Sequence, residues 1–296
     1  SVLFNHASQG LYELGSTFKL FTAAIALEDK IVGPNGMVNI KGPLKWGKFT
    51  VRDFHNYGST LSLTDVIVKS SNIGSARLAM EFGGGRQQAF LDSIGMFSPV
   101  PIELVEARQS RPLLPKHWSE LSTMTVSYGH GIAASPLHLA AAYSSILNGG
   151  TRIRPTILKS EDVTKGERVV SEETSKALRI MLRQVVLRGT ASMGEVKGYH
   201  VGGKTGTADK PNPTGGYYKD KVIASFAAVF PAHDPKYVLV VTMDEPVDTS
   251  GLEPRRTAGW TSVPVAAEII RRVAPLMGMR PEIEQAGGLE YMLSKY

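Results

Sequence analysis

The pattern of apolar residues predicts a buried helix near the start of the chain. Residues 16–28 read STFKLFTAAIALE, and after Lys19 apolar side chains fall on every side of a helix with about 3.6 residues per turn. A helix without a polar face is typical of a protein interior. We therefore predict a helix over Ser16–Glu28 that lies in the core and is followed by Gly33 and Pro34.

The next part of the chain, residues 45–185, is predicted to be mostly helical. Helix-like patterns occur in four segments, separated by loops that contain glycine or proline: Ser62–Lys69, Ser75–Phe82, Ser135–Leu147 and Glu172–Leu187. Gly83-Gly84-Gly85 lacks the following Lys-Ser/Thr of a phosphate-binding loop, and we interpret it as the end of a helix.

The C-terminal part of the chain has the pattern of an antiparallel sheet. Three short runs are rich in β-branched and aromatic residues and are separated by turn sequences: Tyr199–Ala208, Val222–Pro231 and Tyr237–Asp244. An amphipathic helix is predicted over Pro264–Val273. The predicted fold class is therefore α/β in the α+β sense, with an antiparallel sheet flanked by helices and a mostly helical lobe.

Composition and charge exclude several kinds of protein. The 296 residues include no cysteine, so a disulfide framework, a zinc–thiolate site and a thiol nucleophile are excluded. No apolar run reaches the roughly 18–20 residues that cross a bilayer. The formal net charge is +6, but the basic residues are scattered, so we expect no nucleic-acid partner and favour a surface near an anionic wall or membrane. The histidines lack metal-ligand spacing, and we predict neither a metal nor a cofactor.

Three short motifs carry the candidate chemistry. The chain contains one Ser-x-x-Lys (Ser16–Lys19), one Ser-x-Asn (Ser70–Asn72) and one Lys-Thr-Gly (Lys204–Gly206), which is followed by Thr207. Each motif alone is a weak signal, because a serine at a helix start is usually a cap. Their order, and the helix start, loop and strand on which they fall, match the motif set of serine β-lactamases and penicillin-binding proteins.

The first motif predicts an activated serine. Ser16 and Lys19 are three residues apart, so they share one face of the predicted helix. A serine hydroxyl is a poor nucleophile until a base takes its proton. Lys19 can be that base if its pKa is lowered, and burial, the positive charge of Lys204 and the helix N-terminus all act in that direction.

The other two motifs are predicted to bind substrate and transfer a proton. Ser70 would pass a proton between Lys19 and the leaving group, and Asn72 would hydrogen-bond the substrate peptide. Gly206 on an edge strand would let a substrate backbone approach closely. The hydroxyls of Thr205 and Thr207, with the charge of Lys204, would hold a carboxylate. The backbone N–H groups of Ser16 and Thr207 would stabilise the oxyanion.

These motifs and their surroundings resemble class B penicillin-binding proteins, and septal peptidoglycan D,D-transpeptidases in particular. Four segments carry the resemblance, which extends from Leu3 to about Arg271: Tyr12–Lys19 (YELGSTFK), Lys69–Asn72 (KSSN), Ser127–Gly150 and Gly202–Lys210 (GGKTGTADK). The resemblance implies a penicillin-binding, β-lactamase-like serine acyltransferase that cross-links stem peptides through a Ser16 acyl-enzyme. It also implies acylation by β-lactams.

The resemblance implies an organisation as well. A single transpeptidase domain over residues 1–296 would have a sheet lobe, residues 1–45 and 185–296, and a mostly helical lobe, residues 46–184. We expect the membrane anchor and pedestal of the family to lie outside this chain. Expected partners are stem peptides of the lipid-linked precursor or nascent glycan, β-lactams, and division proteins including a glycan polymerase. The expected location is the periplasmic face of the bacterial inner membrane.

Other functions compatible with the same motifs stay open at this point. A class A β-lactamase needs a glutamate that activates the deacylating water, and Glu103, Glu106 and Glu120 lie in the relevant interval without the expected Glu-x-x-x-Asn context. A non-catalytic β-lactam sensor would share the fold. D,D-carboxypeptidase activity, with water as the acceptor, would be a side reaction of the same acyl-enzyme.

Overall fold

The structure, a computed structural model, describes residues 3–159 and 166–282. Its helices are α1 (Lys19–Glu28), α2 (Leu63–Lys69), α3 (Asn72–Ser93), α4 (Glu120–Val126), α5 (Pro136–Leu147), α6 (Glu172–Arg188) and α7 (Ser262–Leu276). Its strands are β1 (Met37–Asn39), β2 (Leu44–Trp46), β3 (Phe49–Val51), β4 (Thr60–Ser62), β5 (Gly202–Pro211), β6 (Tyr217–Phe230) and β7 (Tyr237–Asp244). In these two ranges no helix combines the length and apolar character that a membrane span requires.

Helix α1 lies at the centre of the core, as its sequence predicts. Every residue from Lys19 to Ala26 is buried, and α1 contacts α2, α3 and α6. Because all sides of α1 are covered, the apolar pattern without a polar face is explained by burial. A short 3-10 turn (Gly15–Phe18) leads directly into α1, so the predicted helix is confirmed from Lys19 onward and begins with a tighter turn at Ser16.

The three C-terminal strands form one antiparallel sheet in the order β5-β6-β7, which confirms the predicted hairpins. Lys204 pairs with Ala227 and Gly206 with Ser225, so the Lys-Thr-Gly motif lies on an edge strand of the described sheet. Helices α5 and α7 pack against the sheet, and α6 packs against β5. The predicted architecture, an antiparallel sheet flanked by helices, is confirmed.

Some boundaries differ from the predictions. Strand β6 begins at Tyr217 and not at Val222, because Pro211 pairs with Tyr217 beyond a register shift between Asp209 and Pro211. Helix α3 continues past the three glycines to Ser93: Gly83 interrupts it with a φ of 76°, and the following turns bury Phe90 and Leu91.

Strands β1 to β4 were not predicted, and β3 and β4 lie in the part of the chain that was predicted to be mostly helical. Two small antiparallel pairs, β1–β4 and β2–β3, lie between α1 and α2. Strands of three residues are too short to show an alternating pattern. The division into a sheet lobe and a helical lobe stays a prediction, and residues 1–2, 160–165 and 283–296 of the predicted domain lie outside the described residues.

The loop before α5 contacts the start of the 3-10 turn through backbone alone. Gly129 has a φ of 84°, and a Cβ at this position would lie 2.0 Å from the carbonyl oxygen of Gly15. Only glycine fits both the left-handed backbone and the contact. The position of Ser16 therefore depends on a glycine more than a hundred residues away along the chain.

We expect Gly129→Ala to lower the free energy of unfolding by about 2 kcal/mol or more, because it combines backbone strain with a steric clash. Gly85→Ala is the matched control, since Gly85 lies in α3, its φ is in the ordinary range and a Cβ there meets nothing within 4 Å. Thermal denaturation of both variants measures the difference. Equal stability of the two variants would contradict the steric argument.

Candidate active site

Ser16 lies at the junction of the 3-10 turn and the sheet. Gly15 has a φ of 54°, and a Cβ on it would lie 3.2 Å from the carbonyl oxygen of Thr207 on β5. Helix α5 also holds the turn, because the buried Tyr143 hydroxyl donates to Thr17 O at 2.8 Å. Ser16 itself is only half-buried. The serine is thus held rigidly by its neighbours and still open to solvent.

The amine of Lys19 joins the first two motifs. Lys19 Nζ lies 2.8 Å from Ser16 Oγ and 2.9 Å from Ser70 Oγ, and it donates to the backbone oxygen of Ser70 at 2.6 Å. The lysine side chain is 1% exposed. Ser70 has a φ of 61°, a backbone conformation that few non-glycine residues adopt, and it ends α2. Strain at a residue that contacts the candidate base is typical of functional sites.

A second buried lysine reaches the same serine from the opposite side. Lys204 Nζ lies 3.0 Å from Ser70 Oγ and donates to Thr205 O at 3.1 Å. Lys204 is fully buried. Ser70 Oγ therefore lies between two lysine amines, and one of them also contacts Ser16. The structure brings Ser16, Lys19, Ser70 and Lys204 into one hydrogen-bonded cluster, although their roles stay predictions.

Burial changes the proton affinity of both lysines. The pKa of Lys19 is lowered well below its ordinary value by burial and, to a smaller extent, by the charge of Lys204, while Asp53 acts in the opposite direction. Burial lowers the pKa of Lys204 to about 7. A lysine in a dry environment next to another ammonium group is poorly solvated when protonated. Neutral Lys19 is thus available as a base at moderate pH.

Asn72 lies at the start of α3, next to the cluster. Its Nδ2 donates to the backbone oxygen of Arg52 at 2.9 Å, and its Oδ1 has no partner within the described residues. Ser71 caps α3 by accepting from Gly74 N at 2.9 Å. The amide of Asn72 is therefore oriented by one hydrogen bond, which leaves its oxygen available to a ligand, and its role in binding substrate stays a prediction.

The structure gives the third motif a partly different explanation. A Cβ on Gly206 would lie 2.2 Å from the backbone oxygen of Leu14, so glycine is required there by the protein's own backbone. The sequence interpretation assigned this glycine to close approach of a substrate. Thr205 Oγ1 lies 2.6 Å from Thr190 Oγ1, and Thr207 Oγ1 accepts from Ala258 N at 3.0 Å. Both hydroxyls are oriented by neighbours and can still bond an anion.

A group of aromatic and charged side chains lies next to the serine turn. Gly131 N donates to Glu13 Oε1 at 2.9 Å, and the Tyr217 hydroxyl donates to the same carboxylate at 3.1 Å. The His130 ring lies between the rings of Tyr128 and Tyr217, and burial lowers its pKa while Glu13 opposes the shift. Tyr217 is thus linked to Glu13, the residue three positions before Ser16.

Several contributing residues were not predicted from the sequence. Asp53, Thr190 and Tyr143 each bond a motif residue or its immediate neighbour. These three residues are far along the chain from the motif residues that they contact, and their local sequence does not indicate the contacts. Among the residues that the structure describes, no three histidine, aspartate or glutamate side chains are grouped as metal ligands.

Comparison with known proteins agrees with the geometry. The family model described as the penicillin binding protein transpeptidase domain matches residues 2–271. The chain is 37% identical to a probable peptidoglycan D,D-transpeptidase FtsI of Caulobacter vibrioides, over 95% of this chain and 49% of that protein. It is 31% identical to the peptidoglycan D,D-transpeptidase FtsI of Escherichia coli K12, over 96% of this chain and 47% of that protein. The chain thus spans about half the length of these relatives.

Solved structures show the same fold. The apo transpeptidase domain of penicillin-binding protein 3 from Burkholderia pseudomallei superposes with a TM-score of 0.85 and 33% identity, covering 95% of this chain and 84% of that one. Penicillin-binding protein 3 of Mycobacterium tuberculosis, in complex with ampicillin, gives a TM-score of 0.82 at 27% identity, covering 96% of this chain and 66% of that one. The predicted fold class is confirmed.

We expect Lys204→Met to stabilise the folded protein by about 1–4 kcal/mol near pH 6, because it removes a buried ammonium group. The folded-state pKa of about 7 lies below the ordinary 10.5, so the cost of burial is complete below pH 7 and decreases as the pH rises toward 10.5. The gain should therefore shrink at about pH 9.

Thermal denaturation at both pH values measures this gain. Lys210→Met is the control, since Lys210 is half-buried and paired with Asp244 and Glu245, so its loss should bring no gain. A Lys204→Met protein that is no more stable than the wild type at low pH would contradict the assignment of a costly buried charge.

Proposed function

The chain belongs to the family of penicillin-binding protein transpeptidase domains, and we propose that it catalyses peptidoglycan D,D-transpeptidation in septal cell-wall synthesis. The observation that carries this proposal is the cluster in which Lys19 Nζ lies within 2.9 Å of both Ser16 Oγ and Ser70 Oγ. A half-buried hydroxyl next to a buried amine of lowered pKa is suited to acyl transfer. The names of the relatives from Caulobacter and Escherichia support the substrate class.

In the first half of the proposed reaction, Ser16 becomes acylated. Neutral Lys19 takes the hydroxyl proton as Ser16 Oγ attacks the carbonyl carbon of the penultimate D-alanine of a stem peptide. The new C–O bond forms and the C–N bond to the terminal D-alanine breaks. Ser70, which contacts both lysines, gives its hydroxyl proton to the leaving nitrogen and takes up the proton that Lys19 received from Ser16, so that D-alanine departs as a neutral amine.

In the second half, an amine of a neighbouring stem peptide attacks the acyl-enzyme. The amine loses a proton through Ser70 to Lys19, a C–N bond forms and the C–O bond to Ser16 breaks, so that the hydroxyl regains its proton. Water in place of the amine would give carboxypeptidase activity. A β-lactam would acylate Ser16 in the same way, but its leaving nitrogen stays attached to the adduct.

The substrate is held by the remaining motif residues. Thr205 and Thr207 bind its terminal carboxylate with the charge of Lys204, and Asn72 accepts from a peptide N–H through its free Oδ1. The backbones of Ser16 and Thr207 belong to adjacent segments, since Gly15 packs against Thr207. Their N–H groups can therefore face the same oxyanion, which is the largest stabilising effect in many acyl transfers.

The proposed partners and location follow from the proposed substrate. Stem peptides of the lipid-linked precursor or nascent glycan are the donor and acceptor, so the domain acts on the periplasmic face of the inner membrane. Septal synthesis requires coordination with division proteins, including a glycan polymerase. A net charge of +6 favours a surface that works beside anionic lipid or wall polymer.

Intact-mass measurement after incubation with benzylpenicillin tests the proposed function. The wild type should gain one penicillin mass, and Ser16→Ala should gain none. Ser8→Ala is the control, because Ser8 is buried and its Oγ makes no hydrogen bond within the described residues. A long-lived adduct together with D-alanine release from a D-alanyl-D-alanine peptide supports acyl transfer through Ser16, and transfer of the acyl group to an added amine, in place of water, supports transpeptidation. Rapid loss of the adduct would indicate a β-lactamase, and an adduct without D-alanine release would indicate a sensor.

The pH dependence of acylation is expected to be bell-shaped. Activity should rise as Lys19 loses its proton, since the neutral amine is the base. It should fall above about pH 7 as Lys204 loses the charge that attracts the substrate carboxylate. Burial and, to a smaller extent, the charge of Lys204 lower the pKa of Lys19 well below its ordinary value, so the acid limb reports the titration of Lys19. Stopped-flow measurement of kcat/KM with a fluorescent penicillin checks both limbs, and a flat profile would contradict the two-lysine scheme.

A further inference from the structure

Asp53 lies in the loop after β3 and holds the start of α3. Its Oδ2 accepts from Ser71 Oγ at 2.7 Å, and its Oδ1 accepts from Ile73 N at 3.0 Å. The first donor is the side chain of Ser71, which caps α3, and the second is a backbone N–H of the first helical turn, where such groups lack partners within the helix. A carboxylate is favoured at this end of the helix dipole. One side chain thus fixes two residues on either side of Asn72.

The residue before Asp53 completes the arrangement. Arg52 O accepts from Asn72 Nδ2, so two consecutive residues of the loop hold three consecutive residues at the start of α3. Ser71 also donates its backbone N–H to Val66 O at 2.9 Å. Ser70, with its strained φ of 61°, is therefore fixed by α2 on one side and by the Asp53 contacts on the other.

The charge of Asp53 acts on the lysine cluster. Asp53 is half-buried and opposes the effects of burial and of Lys204 on Lys19. The other titratable groups that face this region are His130, on which Lys19 acts, and Tyr57, on which Asp53 acts. Of these groups only Asp53 brings a negative charge that acts on Lys19. Its loss would leave the repulsion that Lys204 exerts on Lys19 without this compensation.

We propose that Asp53 is a positioning residue for acyl transfer: its carboxylate holds Ser70 and Asn72 in place around Lys19, and its negative charge acts on the buried amine of Lys19. This inference rests on the proposed function, because it assigns a role in the Ser16 reaction. Asp53 acts through Ser71, Ile73 and the electric field, and it does not itself touch Ser16 or either amine.

Substitution of Asp53 by asparagine separates the effect of its charge from the effect of its size. Asp53→Asn keeps the size and one acceptor oxygen but removes the charge. We expect acylation by a fluorescent penicillin to slow by about tenfold or more, as misplacement of reacting groups does. We also expect the acid limb of its pH profile to move down by about half a pH unit or more, because a base that loses a nearby negative charge is deprotonated at lower pH. Asp53→Glu should slow the reaction and keep the wild-type acid limb.

Asp65→Asn is the matched control. Asp65 also accepts from a helix-capping serine, with Ser62 Oγ at 3.0 Å from its Oδ2, and it pairs with Arg188. It lies near the start of α2, at the opposite end from Ser70. Its loss should lower the melting temperature without moving the acid limb. A purely structural role for Asp53 would give the same result as this control.

The outcomes distinguish a failure of the proposed function from a failure of the role proposed for Asp53. If the wild type forms no Ser16 adduct, the proposed function fails and this inference fails with it. If the wild type is acylated, and folded Asp53→Asn shows the wild-type acid limb and a rate within about twofold, only the role of Asp53 is refuted. A shifted acid limb in Asp53→Asn, with the wild-type limb in Asp53→Glu and Asp65→Asn, supports the inference.

Discussion

Two lysine amines buried on either side of one serine hydroxyl are the constraint on which the rest of the structure depends. Lys19 and Lys204 both lie within 3.0 Å of Ser70 Oγ, and neither is exposed to water. Such an arrangement opposes folding, because ammonium groups are costly to bury and repel each other. The surrounding core must provide the stability that this cluster removes. The fully buried helix α1, which carries Lys19, supplies part of it.

The same burial gives the cluster its chemistry. A lysine in water is protonated at neutral pH and cannot act as a base, whereas Lys19 is deprotonated far more readily. The free-energy cost of burying the two lysines and the ability of Lys19 to act as a base thus have one physical cause. The strained backbone of Ser70 has a similar cost and benefit. The turn at the end of α2 requires a positive φ, and it places Ser70 Oγ within hydrogen-bonding distance of both amines.

Large, regular features could be predicted from the sequence, and so could the residues of the cluster. Helix α1 is apolar on all sides, and β5–β7 combine β-branched runs with turn sequences, so local pattern was enough. The three motifs identified Ser16, Lys19, Ser70 and Lys204, which the structure brings together. Strands β1–β4 are too short to show a period, and the role of Asp53 depends on where a loop is placed. The reason for Gly206 could not be foreseen, because the atom it accommodates, Leu14 O, is almost two hundred residues away.

The turn that carries Ser16 is surrounded by contacts between backbone atoms. Gly15 against Thr207, Gly206 against Leu14 and Gly129 against Gly15 leave no room for a larger side chain. Such contacts allow few substitutions during evolution. The backbone contacts around Ser16 should therefore vary less among related chains than exposed side chains such as that of Tyr217.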